Sequence, residues 1–228
     1  IRAAEDYVHA GYPTDAAALL IGEVDGAPGE VAEEVARVRG LLTEAGAREV
    51  RVAGSAEEAA TFWSGRKAAF PATGRIAPDY YCMDGTIPRK HLAAVLTRIG
   101  ELAAEAGLRV ANVFHAGDGN LHPLVLYDAN RPGDLEKAEE VGGAILRLCV
   151  EMGGSITGEH GVGVEKLDAM CHQFAGPELE QFHAIKRAFD PDGRLNPGKA
   201  VPTLHRCAEF GAMHVHRGEE RFPDLPRF

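Results

Sequence analysis

Two histidines, His115 and His122, flank a glycine-rich segment with the sequence HAGDGNLH. A tight turn between two strands would bring the two imidazoles towards one point. A carboxylate from Glu159, in the later segment GEHGVG, would complete a set of two histidines and one carboxylate. Such a set suits Zn²⁺, Fe²⁺ or Mn²⁺ and leaves positions open for substrate oxygens. The residues therefore predict a metal site formed by His115, His122 and Glu159.

The next residue, His160, is the predicted general base. Neighbouring side chains of an extended or turning loop diverge, so His160 would face substrate while Glu159 faces metal. A histidine near a cation and an acidic neighbour can take up a proton near neutral pH. Spacing alone leaves a second interpretation open, in which His115 and His122 are ordinary polar turn residues and His160 is a hydrogen-bonded structural histidine.

The elements around these residues are predicted to be strands and helices in mixed order. The segment LRVANVFHAGDGNLHPLVLYD reads as two strands joined by a turn at Gly117 to Asn120, and DYYCMDGTIP from Asp79 reads as a strand. The helix that follows Pro88 places apolar residues on one face.

Further strands are predicted at Ala16 to Asp25 and in EVRVAGS from Glu49. Further helices are predicted in GEVAEEVARVRGLLTEAG, in AEEAATFWSGRKAAF with Ser55 as N-cap, from about Pro132 to Met152, and in PELEQFHAIKRAFD. Mixed elements of this kind predict an α+β fold, with an antiparallel sheet and helices on one face.

The composition excludes several classes of protein. With 228 residues, 45% hydrophobic and 25% charged, the chain has enough apolar material for a core. A net charge of −10 argues against nucleic-acid binding, and no apolar run approaches the roughly 20 residues of a membrane span. Four cysteines without a C-x-x-C pair favour a reducing, cytoplasmic location. The first residue is Ile rather than Met, so we expect an excised fragment.

Three motifs in order, NVFHAGDGNLHP, GGSITGEHGVGVEK and FDPDGRLNPGK, resemble the C-terminal half of FAD-linked D-2-hydroxy-acid oxidases and dehydrogenases. Within that family the resemblance is to the glycolate oxidase D subunits. It implies a ferredoxin-like substrate or cap domain at residues 1–200, with a helical or irregular extension and a tail at 201–228. It also implies that the main FAD-binding domain is an absent N-terminal one, so the isolated fragment is expected to be inactive.

The resemblance also implies roles for residues. His115, His122 and Glu159 would bind a divalent metal, with zinc favoured over iron or manganese, and His160 would accept the substrate's hydroxyl proton. Arg66 would contact the substrate carboxylate. Asn196 would contact the flavin.

The reaction that the resemblance implies is oxidation of a D-2-hydroxy acid to the 2-oxo acid, with hydride transfer to flavin N5. Cys82 stands where some relatives carry a lysine, which suits a small acid such as glycolate or D-lactate. The implied partners are a second flavoprotein-like subunit and an iron–sulfur subunit, through which the chain could lie peripherally at the inner membrane.

Two functions of other classes remain open. A metal-dependent hydrolase would use the same His/His/Glu set to activate water, without a flavin. A non-catalytic assembly domain would use the tail from Val201 to dock a partner.

Overall fold

The computed structural model describes residues 1–202, and its contacts divide the chain into two units, Ile1–Pro78 and Asp79–Phe228. The elements of the first unit are α1 (Arg2–Val8), α2 (Pro28–Glu44), α3 (Ala56–Lys67) and α4 (Ala69–Thr73). Those of the second are β1 (Asp79–Cys82), β2 (Gly85–Thr86), a 3₁₀ turn (Arg89–His91), α5 (Leu92–Glu105), β3 (Arg109–Asn112), β4 (Asn120–Leu121), β5 (Pro123–Tyr127), α6 (Asp134–Glu151), α7 (Leu167–Gln173) and α8 (Gly176–Phe189).

In the first unit, α1 packs against α3 and α4. The Tyr12 hydroxyl accepts a hydrogen bond from the Gly65 backbone N–H at 2.8 Å and donates to the Phe62 carbonyl at 2.7 Å. A Cβ at position 65 would lie 2.1 Å from the Tyr12 ring, so the close approach of the ring to α3 requires glycine. Ser55 caps α3 as predicted, since its hydroxyl accepts from the Glu58 N–H at 3.2 Å.

The two strands predicted at Ala16 to Asp25 and at Glu49 to Ser55 are wrong. Neither segment has strand structure, and Leu19 and Leu20 are 42% and 64% exposed. Strand formation depends on a neighbouring strand that takes up the backbone hydrogen bonds and covers the side chains. Neither segment has such a partner among the described residues, so the local apolar pattern does not become a strand.

The second unit has the element order of a split β-α-β motif. Its main sheet has the strand order β1-β5-β3, and both pairings are antiparallel. Helix α5 connects β1 to β3, and α6 follows β5, which is the β-α-β-β-α part of a ferredoxin-like fold. In that fold a fourth strand pairs with the first strand. Within residues 1–202, the segment after α6 makes only a single antiparallel bridge, from Ser155 to Thr86 of β2. The predicted α+β fold with a small antiparallel sheet is confirmed.

The core of the second unit lies between the sheet and its helices. Helices α5 and α6 pack against each other and against the strands. Side chains from strands and helices form one apolar cluster that includes Val95, Ile99, Leu121, Val125 and Ile145, each at most 1% exposed. Across residues 1–202, no helix is both long enough and apolar enough to cross a membrane.

Candidate functional site

The register of the sheet places two polar side chains opposite each other. Cys82 pairs with Leu124 in β1 and β5, and Gly85 pairs with Leu121 in β2 and β4, so one register runs through both strand pairs. Asp84 therefore falls opposite His122. Successive residues of a strand face opposite sides of the sheet. Since Leu121 and Val125 belong to the core under α5 and α6, His122 points to the other side, together with Asp84.

The predicted histidine pair lies on this same face. His115 pairs with Asn120 across an isolated antiparallel bridge, and the His115 N–H donates to the Asn120 carbonyl at 3.1 Å. The His115 and His122 rings meet edge to face, with their centroids 5.6 Å apart. His122 is 3% exposed, whereas His115 is exposed at the turn. The turn thus brings the two imidazoles side by side, with one of them open to solvent.

The loop after the Thr86–Ser155 bridge carries Glu159 and His160 to the buried histidine. Glu159 Oε1 lies 3.0 Å from His122 Nε2 and 3.5 Å from His160 Nε2. The His122 and His160 rings stack with centroids 4.9 Å apart. The side chains of Glu159 and His160 are each about half exposed, at 50% and 46%. Together the three side chains place ligand atoms beside a solvent-accessible surface.

Asp84 is the residue that sequence reasoning missed. Its side chain is fully buried, yet one carboxylate receives hydrogen bonds from five residues. The donors are the Thr157 hydroxyl at 2.7 Å, the backbone N–H groups of Gly158, Glu159 and His160 at 3.1, 3.2 and 2.8 Å, and Lys166 Nζ at 3.0 Å. The one signal in the sequence was an aspartate followed by glycine inside an otherwise strand-like run, YYCMDGTIP.

Lys166 is the second missed residue, because a lysine in a loop is usually a solvated charge. Here it is 3% exposed and its ammonium group bonds Asp84 Oδ2 and the Thr157 hydroxyl at 3.0 and 3.1 Å. Burial alone would raise the pKa of Asp84, but the hydrogen bonds from Thr157, His160 and Lys166 hold it well below its ordinary value. The carboxylate is therefore ionised and paired.

The geometry suits a divalent cation. Burial lowers the pKa of His122 despite the opposing effect of Glu159, and this favours the neutral imidazole, whose lone pair can bind a metal. His122, Glu159 and His160, with Asp84 beside them, place their ligand atoms within 4.8 Å of one another. His115 adjoins this group without being part of it. Nitrogen and carboxylate donors of this kind match Zn²⁺ and neighbouring transition metals.

A second observation points to a ligand at this place. Asn120 packs over the loop so closely that a Cβ on Gly158 would lie 2.6 Å from its amide. Its Nδ2 lies 3.4 Å from His122 Nε2. Its Oδ1 is buried and has no hydrogen-bond partner among residues 1–202. Buried polar groups are nearly always hydrogen-bonded, so a donor from a bound ligand would complete this one.

The other predicted residues have the following places within their own units. Arg66 is partly buried on α3 of the first unit. Asn196 is exposed in the turns after α8, with a positive φ of 44°. Cys82 is partly buried on β1, and burial raises its pKa to about 11, which keeps the thiol neutral. The predicted tail begins at Val201, and beyond position 202 it lies outside the described residues.

Comparison with known sequences defines the family. The profile described as "FAD linked oxidases, C-terminal domain" matches residues 1–200. Glycolate oxidase subunit GlcD of Escherichia coli strain K12 is 63% identical over 228 residues, which cover 100% of this chain and 46% of that protein. GlcD of Bacillus subtilis is 35% identical over 195 residues, covering 86% and 42%. Mitochondrial D-lactate dehydrogenase [cytochrome] of Arabidopsis thaliana is 29% identical over 193 residues, covering 84% and 34%.

Two solved structures share the fold at low sequence identity. 4-Ethylphenol oxidase from Gulosibacter chungangensis, in an isoeugenol complex, matches with a TM-score of 0.59 and 16% identity, covering 79% of this chain and 38% of that one. p-Cresol methylhydroxylase with bound substrate matches with a TM-score of 0.54 and 17% identity, covering 80% and 37%.

The fold and the sequence match define the chain as a C-terminal domain of an FAD-linked oxidoreductase. The chain belongs to the FAD-linked oxidase family and resembles the D subunit of glycolate oxidase along its entire length. It spans about half the length of the curated relatives it matches.

The loops beside the candidate metal group have open backbone at three glycines. Gly161, Gly163 and Gly198 have positive φ, and a Cβ on any of them would meet nothing within 4 Å. The backbone conformation itself favours glycine, and the space beside each residue stays open. The Ala200 N–H donates to the Gly163 carbonyl at 2.8 Å, which ties the LNPGK turn to the GEHGVG loop. Exposed backbone without Cβ atoms is compatible with a flat ring, such as a flavin, lying against these loops.

Proposed function

We propose that this chain is the substrate- and metal-binding part of an enzyme that oxidises a small D-2-hydroxy acid to the 2-oxo acid, with FAD as the electron acceptor. The proposed substrate is glycolate or D-lactate. The observation that carries the proposal is the convergence of His122, Glu159 and His160 on one face of the sheet, in a chain of the FAD-linked oxidase family. The names of the relatives support the choice of substrate class.

The residues of the chain have distinct proposed roles. His122, Glu159 and the adjoining His115 would hold a divalent metal, for which zinc is the first candidate. The family match brings in FAD. When bound, FAD supplies a hydride acceptor, and the metal supplies positive charge beside the substrate's oxygens.

His160 would take the hydroxyl proton of the substrate on its Nε2. Its ring is half exposed and stacks on His122, so it can reach a substrate while it stays fixed in orientation. Glu159 Oε1, 3.5 Å from this nitrogen, would stabilise the imidazolium that forms. Arg66 would pair with the carboxylate, because its guanidinium fits a carboxylate with two parallel hydrogen bonds. Asn196 would contact the flavin.

Assembly and location follow the same relatives. Glycolate oxidase subunit GlcD is by its name one subunit of a larger enzyme. We therefore extend the proposal to assembly with a second flavoprotein-like subunit and an iron–sulfur subunit. The proposed location is the cytoplasm, where those subunits would hold the chain at the inner membrane.

The test is anaerobic reduction of the flavin in the complete protein. Addition of glycolate or D-lactate should bleach the visible flavin absorption, and L-lactate should not. The variant His160→Gln removes the proton acceptor and should slow bleaching about 10²- to 10⁴-fold. A complete protein that carries FAD and is bleached by no D-2-hydroxy acid would refute the proposal. Metal-dependent ester or amide hydrolysis by that protein would favour a hydrolase instead.

A further inference from the structure

Asp84 and Lys166 form a buried ion pair for which the proposed mechanism has no use. Their side chains are 0% and 4% exposed, and 3.0 Å separates Lys166 Nζ from Asp84 Oδ2. Ionised groups are costly to bury unless hydrogen bonds satisfy them. The burial of these two charges costs desolvation free energy, so we expect the pair to have a role beside the candidate site.

The contacts of Asp84 are directed at one segment. The N–H groups of Glu159 and His160 donate to its carboxylate, and the Thr157 hydroxyl donates to the same oxygen, Oδ2. The Gly158 N–H is shared between Oδ2 at 3.1 Å and the backbone carbonyl of Asp84 at 2.9 Å. Thr157 in turn accepts the Gly161 N–H at 2.9 Å on its own hydroxyl. The whole turn that carries Glu159 and His160 is therefore wrapped around one anion.

The hydrogen bonds that Asp84 accepts from this turn distinguish it from a metal ligand. Although its carboxylate lies within 4.8 Å of the ligand atoms of His122, Glu159 and His160, the donors of the loop and Lys166 already occupy Oδ2. Among residues 1–202, Oδ1 accepts from the Glu159 N–H alone, at 3.2 Å, and faces His122 Nε2 at 3.6 Å. The carboxylate therefore mainly accepts hydrogen bonds from the backbone of the loop that carries Glu159 and His160.

We propose that Asp84 is a positioning residue: its carboxylate gathers the N–H groups of Gly158, Glu159 and His160 and so sets the direction in which Glu159 and His160 present their side chains. Lys166 balances the charge that this requires in a buried place. The inference rests on the proposed function only in giving that orientation a purpose, which is to hold metal and accept a proton.

The test compares three variants of the complete protein with the wild type. Asp84→Asn keeps the shape but replaces one acceptor with an NH₂ group that cannot accept. Asp84→Asn/Lys166→Met removes both charges and avoids an unpaired buried lysine. The matched control is Asp79→Asn, because Asp79 begins β1, the strand that leads to Asp84, and accepts the Ala129 N–H at 2.8 Å. At about 3.3 Å per residue, it lies about 16 Å from Asp84 along the extended chain.

Two measurements are made on each variant. The first is the Kd for Zn²⁺ by competition with a chromogenic chelator, and the second is amide hydrogen exchange of the peptide that spans residues 157–161. We expect Asp84→Asn to weaken Zn²⁺ binding about 10- to 100-fold and to speed exchange of the peptide about tenfold, whereas Asp79→Asn should change neither.

The double variant separates positioning from general stability. Its unfolding midpoint should recover towards the wild type, because no charge is left unpaired, while Zn²⁺ binding stays weak and exchange stays fast. If Zn²⁺ binding recovers together with stability, or if exchange in 157–161 is unchanged in both variants, the positioning role is overturned. A wild-type protein that binds no Zn²⁺ refutes the proposed metal set, and the exchange measurement still decides the role of Asp84.

Discussion

Replacement of Gly154 by alanine should break the bridge that leads into the candidate site. A Cβ at this position would lie 1.8 Å from the Thr86 carbonyl oxygen and 2.9 Å from Ile87 Cα. Both are backbone atoms, so no side chain can move aside. The backbone at Gly154 and Ser155 must shift away from Thr86.

The energetic cost follows from what this shift disrupts. The Thr86 N–H donates to the Ser155 carbonyl at 2.9 Å, and the Ser155 N–H donates back at 3.2 Å. Two such hydrogen bonds contribute about 2 kcal/mol together, and the overpacking adds about 2 kcal/mol. Gly154→Ala should therefore lower the free energy of unfolding by about 4 kcal/mol.

Urea unfolding followed by circular dichroism measures this change. With a slope of about 2 kcal/mol per molar urea, the midpoint should fall by about 2 M. The control is Gly100→Ala in α5, where a Cβ would meet nothing within 4 Å. That variant should gain about 1 kcal/mol from helix propensity. If both variants shift the midpoint in the same direction, or if Gly154→Ala leaves it unchanged, the role assigned to the Thr86–Ser155 bridge is wrong.

Three further predictions concern the core, the acid stability and the metal. Ile145 is fully buried on α6, so Ile145→Ala should lower the free energy of unfolding by about 2–5 kcal/mol. The Phe189 side chain is 83% exposed, so Phe189→Ala should change the unfolding midpoint little. Equal effects of the two replacements would contradict the assigned core. The hydrogen bond from Lys186 lowers the pKa of Asp190, so this contact stabilises the fold above the ordinary aspartate pKa and is lost as the pH falls through the lowered one. Acid titration of Asp190→Asn should therefore show a shallower loss of stability below about pH 4 than the wild type, and identical curves would refute the linkage. Chelation of bound metal should lower the thermal midpoint of the wild type and Zn²⁺ should restore it, but His122→Ala, assayed the same way, should respond to neither; a His122→Ala protein with wild-type zinc content would remove His122 from the ligand set.

The local sequence pattern was sufficient to predict the amphipathic helices, which need only one apolar face to be covered. The helices predicted after Pro88 and from about Pro132 correspond to α5 and α6, because an apolar stripe at helical spacing needs only one surface to cover it. The turn between His115 and His122 was also predicted, since its residues tolerate positive φ, as Gly119 does at 71°. The sequence alone thus determined an α+β fold and marked His122, Glu159 and His160 as chemistry-bearing residues.

Tertiary structure decided what depends on distant partners. The run from Ala16 to Asp25 carries a strand pattern but is not a strand, because among the described residues no neighbouring strand pairs with it. Asp84 and Lys166 are 82 positions apart, and no local spacing reveals that a carboxylate on the sheet binds the loop that carries Glu159. A buried charge becomes functional only through the groups that surround it, and those groups are brought together by the register of the sheet and by the bridge at Ser155.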